Sequence, residues 1–484
     1  MHHHLYACSR VYYFVSFFFG TSLKKQKQGF KNIPIPNGKV PYFGHLFALM
    51  RSSITVQTAQ WQKELGSIMK IYVGVQPWIV VGDPYLAHEI LAVNGSIASN
   101  RPYTTFSHDI YAPNQRVLHM VSSKTTADER YRMQEMEADA LIERLLQHTE
   151  SVNGDKEINI LPHFQLVFAN VIFTMMYGCQ RMTSIDDPMF KRIEAIMAEG
   201  LANVNIMKEL KVFLSIFSFI DYLFSHATMK WVVQDLANPL YLSLIKDALE
   251  NGDPHCLVNQ LKQMDHVDYD EILVTVSDLA IAGTDTPAIE TMWTILILCC
   301  YQEAQQVLHD KVDTFISKHN RLPTFNDREK LPNLISTQKE CMRFRPPVFY
   351  GLLHETSRDR SIIASNMRAM HMNSDIYEES EKFCQDRFIN KSNKTMSALA
   401  NGKIQERDQY TYGWGRRLCP GAHLAEVQIF SILVRLVAKL KIEPRIDPQG
   451  NLVFPDLDKL HEAGVMVIPT DRNVCITKRT DSLL

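Results

Sequence analysis

The sequence predicts one large, mainly α-helical domain with a minor β portion, and three observations support this fold class. The chain has 484 residues, 46% of them hydrophobic, which is enough to bury a large core. Two short β-rich runs, at 68–74 and 77–84, are separated by a turn and predict a hairpin. Apolar residues recur with helical spacing in four long segments, at 133–148, 187–202, 269–298 and 301–318.

The N-terminal region predicts a membrane anchor followed by a hinge. An apolar run at 11–23 is short for a membrane-spanning helix, and the lysines at 24–28 favour keeping the following chain in the cytosol. We therefore assign the anchor and its basic flank to residues 1–28; a cleaved signal peptide is the alternative. Residues 29–45 are rich in proline and glycine and predict a stiff hinge, so that the catalytic domain would cover 46–484.

Charge and cysteine content exclude several classes of protein. The chain carries 51 Lys and Arg against 53 Asp and Glu, which leaves no basic excess for binding nucleic acid phosphates. Its 9 cysteines form no C-x-x-C pair and no repeated spacing. This pattern indicates neither a disulfide framework nor a zinc site.

One cysteine has unusual surroundings. Cys419 lies in the sequence YGWGRRLCPGAHLAE, residues 412–426, between two glycines and directly before a helix-forming run. The positive end of that helix and the nearby arginines would favour its thiolate. Cys419 is therefore the candidate ligand or nucleophile of the chain.

Two further motifs lie upstream. In the helical segment 279–293, small residues and Pro287 interrupt an apolar pattern and are expected to widen the helix beside a hydroxyl and a carboxylate. Glu340 and Arg343 stand three apart on a second predicted helix, where they can form a charged pair. Each motif alone is equally compatible with an ordinary core helix or a surface ion pair.

Taken in order, the three motifs resemble the cytochrome P-450 family of heme-thiolate monooxygenases, in the eukaryotic microsomal type. The motifs A-G-x-D-T, E-x-x-R and G-x-R-x-C-x-G follow one another over about 140 residues, and the resemblance covers nearly the whole chain. The family pattern F-x-x-G-x-R-x-C-x-G is matched by Tyr412, Gly415, Arg417, Cys419 and Gly421, with tyrosine replacing phenylalanine. The resemblance implies the cytochrome P-450 fold as a single large heme-binding domain.

The resemblance also implies roles around the heme. Cys419 would bind the iron of heme b as thiolate, and Gly415 and Gly421 would allow a tight turn and direct N–H groups at the sulfur. Arg417 would pair with a heme propionate. His354 falls where a second propionate partner is expected, although a lone histidine is more often an ordinary hydrogen-bonded residue.

On the other face of the heme, the family implies a long helix with Ala282, Gly283, Asp285 and Thr286. The Thr286 hydroxyl would hold a proton-carrying water, and the Asp285 carboxyl would supply the protons. Glu340 and Arg343 would form a buried structural network with Arg387. The proline that precedes this arginine in the family pattern is absent here.

Two departures from the family pattern suggest missing segments. The chain has no tryptophan from 79 to 230, so the expected W-x-x-x-R helix is absent and a deletion is inferred near 104–126. A strand-and-turn insert is also missing near 356–366. These gaps keep a non-catalytic or mis-spliced heme-binding paralogue open as an alternative to the monooxygenase. A related isomerase or peroxide-dependent enzyme is disfavoured because the acid and threonine pair is present.

The resemblance finally implies partners and location. The chain shows no nicotinamide or flavin fingerprint, so NADPH electrons would come from the separate NADPH-cytochrome P-450 reductase, docking near Arg416 and Lys439. The substrate would be an apolar small molecule, bound near Asp278, Val465 and Met466. The protein is expected in the endoplasmic reticulum membrane, with its catalytic domain in the cytosol.

Overall fold

A computed structural model gives the fold of most of the chain. It describes residues 33–51, 54–104, 106–112, 127–151, 157–179, 181–203, 214, 227–389, 391 and 394–483. The predicted anchor at 1–28 and most of the inferred deletion near 104–126 lie outside these residues.

The described residues form a mainly helical protein. The helices are α1 (Leu46–Arg51), α2 (Ile54–Leu65), α3 (Pro84–His88), α4 (Ala127–Ser151), α5 (Leu161–Tyr177), α6 (Pro188–Asn203), α7 (Asn238–Asn251), α8 (Leu257–Lys262), α9 (Tyr269–Cys300), α10 (Gln302–His319), α11 (Pro332–Phe344), α12 (Met367–His371), α13 (Met396–Ala400) and α14 (Ala422–Lys439). Short π-helical turns cover Glu89–Val93, Phe106–Tyr111 and Trp231–Ala237, and 3₁₀ turns cover Phe325–Lys330, Ile404–Glu406 and Gly415–Arg417. All four predicted helical segments are confirmed.

The strands form small sheets beside the helices. They are β1 (Ile68–Val73), β2 (Gln76–Val81), β3 (Glu157–Asn159), β4 (His354–Glu355), β5 (Ile362–Ser365), β6 (Leu440–Glu443), β7 (Arg445–Ile446), β8 (Leu452–Val453), β9 (Leu460–Ala463), β10 (Met466–Pro469) and β11 (Asn473–Lys478). The largest sheet has the order β1-β2-β5-β4, and the predicted hairpin is its antiparallel β1-β2 pair. The minor β portion is therefore confirmed as well.

Strands β4 and β5 are joined directly by a short turn. They pair antiparallel, with His354 opposite Ile363, and β5 continues the sheet in parallel with β2. The Thr356 N–H donates to the Ser361 carbonyl at 3.0 Å, and the Arg360 guanidinium contacts Glu355 at 3.0 Å. The segment in which the insert was expected is thus a closed, hydrogen-bonded hairpin.

Helix α9 is the central element of the core. Its N-terminus is fixed by a capping box in which Asp268 accepts from the Glu271 N–H and Glu271 accepts in return. From Thr284 to Cys299 only Thr286 is not buried, and α9 packs against α5, α7, α11 and α14. Among the described residues only α9 is long and apolar enough to cross a membrane, but most of its apolar stretch is buried inside the protein.

Candidate functional site

The loop before α14 has a backbone conformation that favours glycine at two positions. Gly413 and Gly415 have φ angles of 77° and 55°, in the left-handed region, and a Cβ at Gly415 would collide with the backbone of Leu91. The Cys419 N–H donates to the Tyr412 carbonyl at 2.9 Å. The loop is therefore closed on itself and packed against the π-helical turn Glu89–Val93.

Cys419 lies deep in the protein but has an exposed surface. Surrounding protein atoms raise the pKa of its thiol, and the backbone N–H of Gly421 opposes this rise. Its side chain is nevertheless accessible. The burial of Cys419 and the accessibility of its side chain are compatible if Cys419 borders an internal opening. The ligand of a large buried cofactor would have such a position.

Gly421 differs from Gly415 in the reason for its presence. Its φ of −86° is open to any residue, and a Cβ there would lie 4.0 Å from the Cys419 sulfur, an ordinary contact distance. The expectation that both glycines are needed for a tight turn therefore applies to Gly415 and not to Gly421. The contribution of Gly421 is its backbone N–H, which lowers the pKa of the Cys419 thiol against the effect of burial.

Arg417, His354 and Arg101 gather around the segment that follows residue 97. The Arg417 Nε donates to the Ser99 carbonyl at 2.9 Å, and His354 Nδ1 lies 2.7 Å from the Ala98 carbonyl. The Arg101 guanidinium donates to the carbonyls of residues 352 and 353 at 2.9 and 2.7 Å. Three basic side chains, only two of them predicted, are thus held near one another by backbone carbonyls.

This basic cluster lacks acidic partners. Burial and then Arg417 lower the pKa of Arg101 to about 10, while burial and then Arg101 lower the pKa of His354 to about 4. In the described part of the chain no Asp or Glu forms an ion pair with either arginine, since nearby Glu355 pairs with Arg360. The cluster therefore fits an anionic group such as the propionates of a heme.

On α9, the predicted residues point in different directions. Ala282 is exposed and Thr286 is half-buried, as residues beside an opening would be. The Gly283 position faces α5 instead, because a Cβ there would lie 2.7 Å from the Ile172 side chain. The α-helix continues through Pro287 without a break, so the proline is accommodated within a regular helical element.

Asp285 also faces α5. Its Oδ1 accepts a 2.7 Å hydrogen bond from Nε2 of Gln165, and both residues are buried. Burial raises the pKa of Asp285 to about 6, and the hydrogen bond from Gln165 opposes this rise. Gln165 was missed in the sequence, because a single glutamine 120 positions away in an apolar helix gives no local signal.

Glu340, Arg343 and Arg387 come together in the core. The Arg343 Nε and Nη2 donate to the two Glu340 carboxylate oxygens at 2.7 and 2.8 Å, and both side chains are fully buried. The Arg387 Nε lies 3.0 Å from Glu340 Oε2. Arg343 also donates to the carbonyls of His371 and Ser380 at 2.8 Å, so it ties α11 to the end of α12 and to the segment that follows it.

The residues expected near the substrate and the reductase are dispersed. Asp278 is half-buried, and burial raises its pKa to about 6 against an opposing interaction with Tyr111. Val465 is exposed, whereas Met466 is buried in the core.

The two basic residues expected near the reductase, Arg416 and Lys439, lie before the start and at the end of α14, whose 18 residues span about 27 Å. A reductase that contacts both basic residues would need an interface at least that wide, which is within the ordinary size of a protein–protein interface.

The mainly helical domain and the accessible cysteine in a loop near its C-terminal end agree with a protein that binds heme through a cysteine thiolate. The chain belongs to the cytochrome P-450 family, whose sequence profile matches residues 34–459.

Its relatives are fungal monooxygenases of that family. Cytochrome P-450 monooxygenase 136 of Postia placenta is 23% identical, over 88% of this chain and 85% of its own length. Cytochrome P-450 monooxygenase claT of Ampulloclitocybe clavipes is 22% identical, over 88% and 87%. Cytochrome P-450 monooxygenase patI of Penicillium expansum is 26% identical, over 85% and 83%.

Proposed function

We propose that this chain is a heme-thiolate monooxygenase that inserts one atom of O2 into an apolar small molecule and reduces the other to water. NADPH would supply the electrons through a separate reductase. The observation that carries this proposal is the position of Cys419, which lies deep in the protein yet remains accessible, in a closed loop directly before α14.

The described residues fit a heme at this position. Cys419 would bind the iron, while Arg417, Arg101 and the free ring nitrogen of His354 would hold the propionates. The Tyr412 carbonyl fixes the Cys419 backbone at 2.9 Å, so the ligand geometry is set before any heme binds. When bound, the heme would supply the reductive activation of O2, and the thiolate would favour cleavage of the O–O bond.

The remaining chemistry is assigned to α9. Within the described residues the Thr286 hydroxyl takes part in no hydrogen bond, and it would hold a water beside the exposed Ala282 surface. Asp285, the neighbouring acid, would return protons to that water. Glu340, Arg343 and Arg387 would act as structural residues, because Glu340 and Arg343 are fully buried and Arg387 pairs with the same carboxylate.

We extend the proposal to partners and location. Arg416 is exposed in the cysteine loop and Lys439 is half-buried at the end of α14, and both would contribute to reductase docking. The apolar run at 11–23 would anchor the chain in the endoplasmic reticulum membrane, with the domain in the cytosol. Asp278 and Val465 would line the substrate pocket.

Turnover with isotopically labelled O2 tests this function. The full chain in lipid vesicles, with a reductase, NADPH and a panel of terpenoid, steroid and fatty-acid substrates, should give a product carrying one labelled oxygen atom. A chain that binds heme and accepts electrons but forms no labelled product with any substrate would instead be the non-catalytic heme-binding paralogue.

A further inference from the structure

Among the described residues, the Asp285 carboxyl takes a hydrogen bond from one neutral partner. The Gln165 amide donates to Asp285 Oδ1 at 2.7 Å, and the two residues are 8% and 3% exposed. In the part of the chain that the structure describes, no lysine, arginine or histidine pairs with Asp285. The other titratable group that faces it is the Tyr241 hydroxyl on α7.

The amide of Gln165 lies among buried apolar side chains in the structure. Its neighbours on α5, Phe164, Leu166, Val167 and Phe168, are all buried and apolar. A buried amide without a partner is destabilising, so the hydrogen bond to Asp285 satisfies Gln165 as much as it orients the acid. Helix α5 therefore fixes the carboxyl group by a specific polar contact.

The second carboxyl oxygen remains available. Oδ2 of Asp285 takes no hydrogen bond from any described residue, and Thr286 is the next residue along the same helix. A neutral amide donor also differs from a cation in its effect, because a cation would stabilise the charged carboxylate far more strongly. The pair leaves Asp285 able to gain and lose a proton.

We propose that Gln165 is a positioning residue of the monooxygenase, which holds the Asp285 carboxyl so that Oδ2 can pass a proton to water at Thr286. The step moves one proton from Asp285 to that water, and Asp285 regains a proton from solvent. This inference rests on the proposed function, but the hydrogen bond itself can be tested without turnover.

The test is an infrared titration of the Asp285 carboxyl in the resting, heme-loaded full chain. The carbonyl stretch of a protonated carboxyl group that is present in the wild type and absent in Asp285→Asn reports on this residue. Gln165→Met keeps the length of the side chain and removes the hydrogen-bond donor. The titration midpoint of the Asp285 carboxyl should therefore rise by about one pH unit or more. Gln165→Lys introduces a cation and should move it down.

A variant on the same helix separates positioning from stability. Asn170 is also buried on α5, but its amide bonds Glu137 at 3.0 Å. Asn170→Ala should lower stability and leave the Asp285 midpoint unchanged. In turnover, Gln165→Met should shift the pH dependence of product formed per NADPH upward, whereas Asn170→Ala should not.

An Asp285 midpoint that is the same in the wild type, Gln165→Met and Gln165→Lys would overturn the proposal. If Gln165→Met does not fold, Gln165→Leu takes its place with the same expectation. A chain that binds no heme would fail the proposed function, and the titration of the heme-free protein would still decide whether Gln165 controls Asp285.

Discussion

The cysteine loop and helix α9 supply opposite faces of the proposed heme site, and they are built on different principles. In the loop, residues 412–421, backbone groups set the position of Cys419. Two glycines have left-handed φ angles, a backbone carbonyl accepts a hydrogen bond from the Cys419 N–H, and Gly415 packs closely against Leu91. Helix α9 is regular, and its polar groups depend on single side-chain contacts from other helices. The loop is therefore rigid by local conformation, whereas the α9 face is set by tertiary partners.

The largest effect is expected from the core triad that supports the loop side. Arg343→Ala leaves the Glu340 carboxylate buried beside Arg387 alone, and loss of one partner of a buried ion pair costs about 3–5 kcal/mol. Urea unfolding measures this loss. The matched control is Lys191→Ala, which breaks an i,i+3 pair of 3.2 Å on the surface of α6 and should cost only a few tenths of a kcal/mol. Equal losses for both variants would contradict a supporting role for the triad.

The second effect concerns the α9 face and depends on pH. Because the pKa of Asp285 is about 6 in the folded protein and 3.8 is its usual value, the folded state binds the proton more tightly than the unfolded state. The protonated Asp285 carboxyl therefore adds about 3 kcal/mol to the free energy of unfolding. This contribution is present in full below about pH 4 and is lost as the pH rises through 6. Asp285→Asn removes this dependence, so its stability relative to the wild type should rise between pH 4 and pH 7. If the unfolding free energies of the wild type and of Asp285→Asn differ by the same amount at every pH, the Asp285 carboxyl does not titrate in this range.

The third effect returns to the backbone of the loop. Gly415→Ala forces a side chain into a left-handed conformation against Leu91, which should cost about 1–3 kcal/mol or more and weaken heme retention. Gly200→Ala in α6 is the control, because no atom lies within 4 Å of its added Cβ. That change should stabilise the protein by up to about 1 kcal/mol. Thermal unfolding and heme content distinguish the two, and a well-tolerated Gly415→Ala would disprove the backbone constraint.

The smallest effect on stability is expected at Thr286. Thr286→Ala removes a half-buried hydroxyl and should leave heme binding intact, while reducing equivalents are diverted to hydrogen peroxide. The yield of product per NADPH should fall several-fold and peroxide should rise by a corresponding amount. An unchanged yield would show that Thr286 does not hold the proton-carrying water.

This difference between the two faces also explains what the sequence could predict. The hairpin and the long helices follow from local patterns, and the structure contains each of them. The tight turn at Gly415 was expected from the family resemblance, and its close approach to Leu91 appears only in the structure. The partner of Asp285 and the basic contribution of Arg101 depend on contacts between segments far apart in the chain, where a single glutamine or arginine carries no recognisable spacing. Gly283 was recognised in the sequence as part of the A-G-x-D-T motif, but the structure gives another reason for this glycine. The absence of a side chain there makes room for Ile172 of α5.

The short connection between β4 and β5 bears on the inferred deletion near 356–366. Its turn contains internal hydrogen bonds, and β5 keeps its parallel pairing with β2. His354 therefore remains positioned next to Ala98 by the sheet itself. Within the described residues, the shortened segment leaves the proposed propionate cluster in place.

The central claim is that Cys419 binds heme iron as a thiolate, and the absorption spectrum of the reduced, carbon monoxide-treated protein tests it most directly. The full chain should show the far red-shifted Soret band of a thiolate-ligated heme. Cys419→Ser should lose that band, whereas Cys384→Ser, at an exposed cysteine away from the loop, should keep it. A histidine-like band in the wild type, or a red-shifted band that survives in Cys419→Ser, would contradict the assignment.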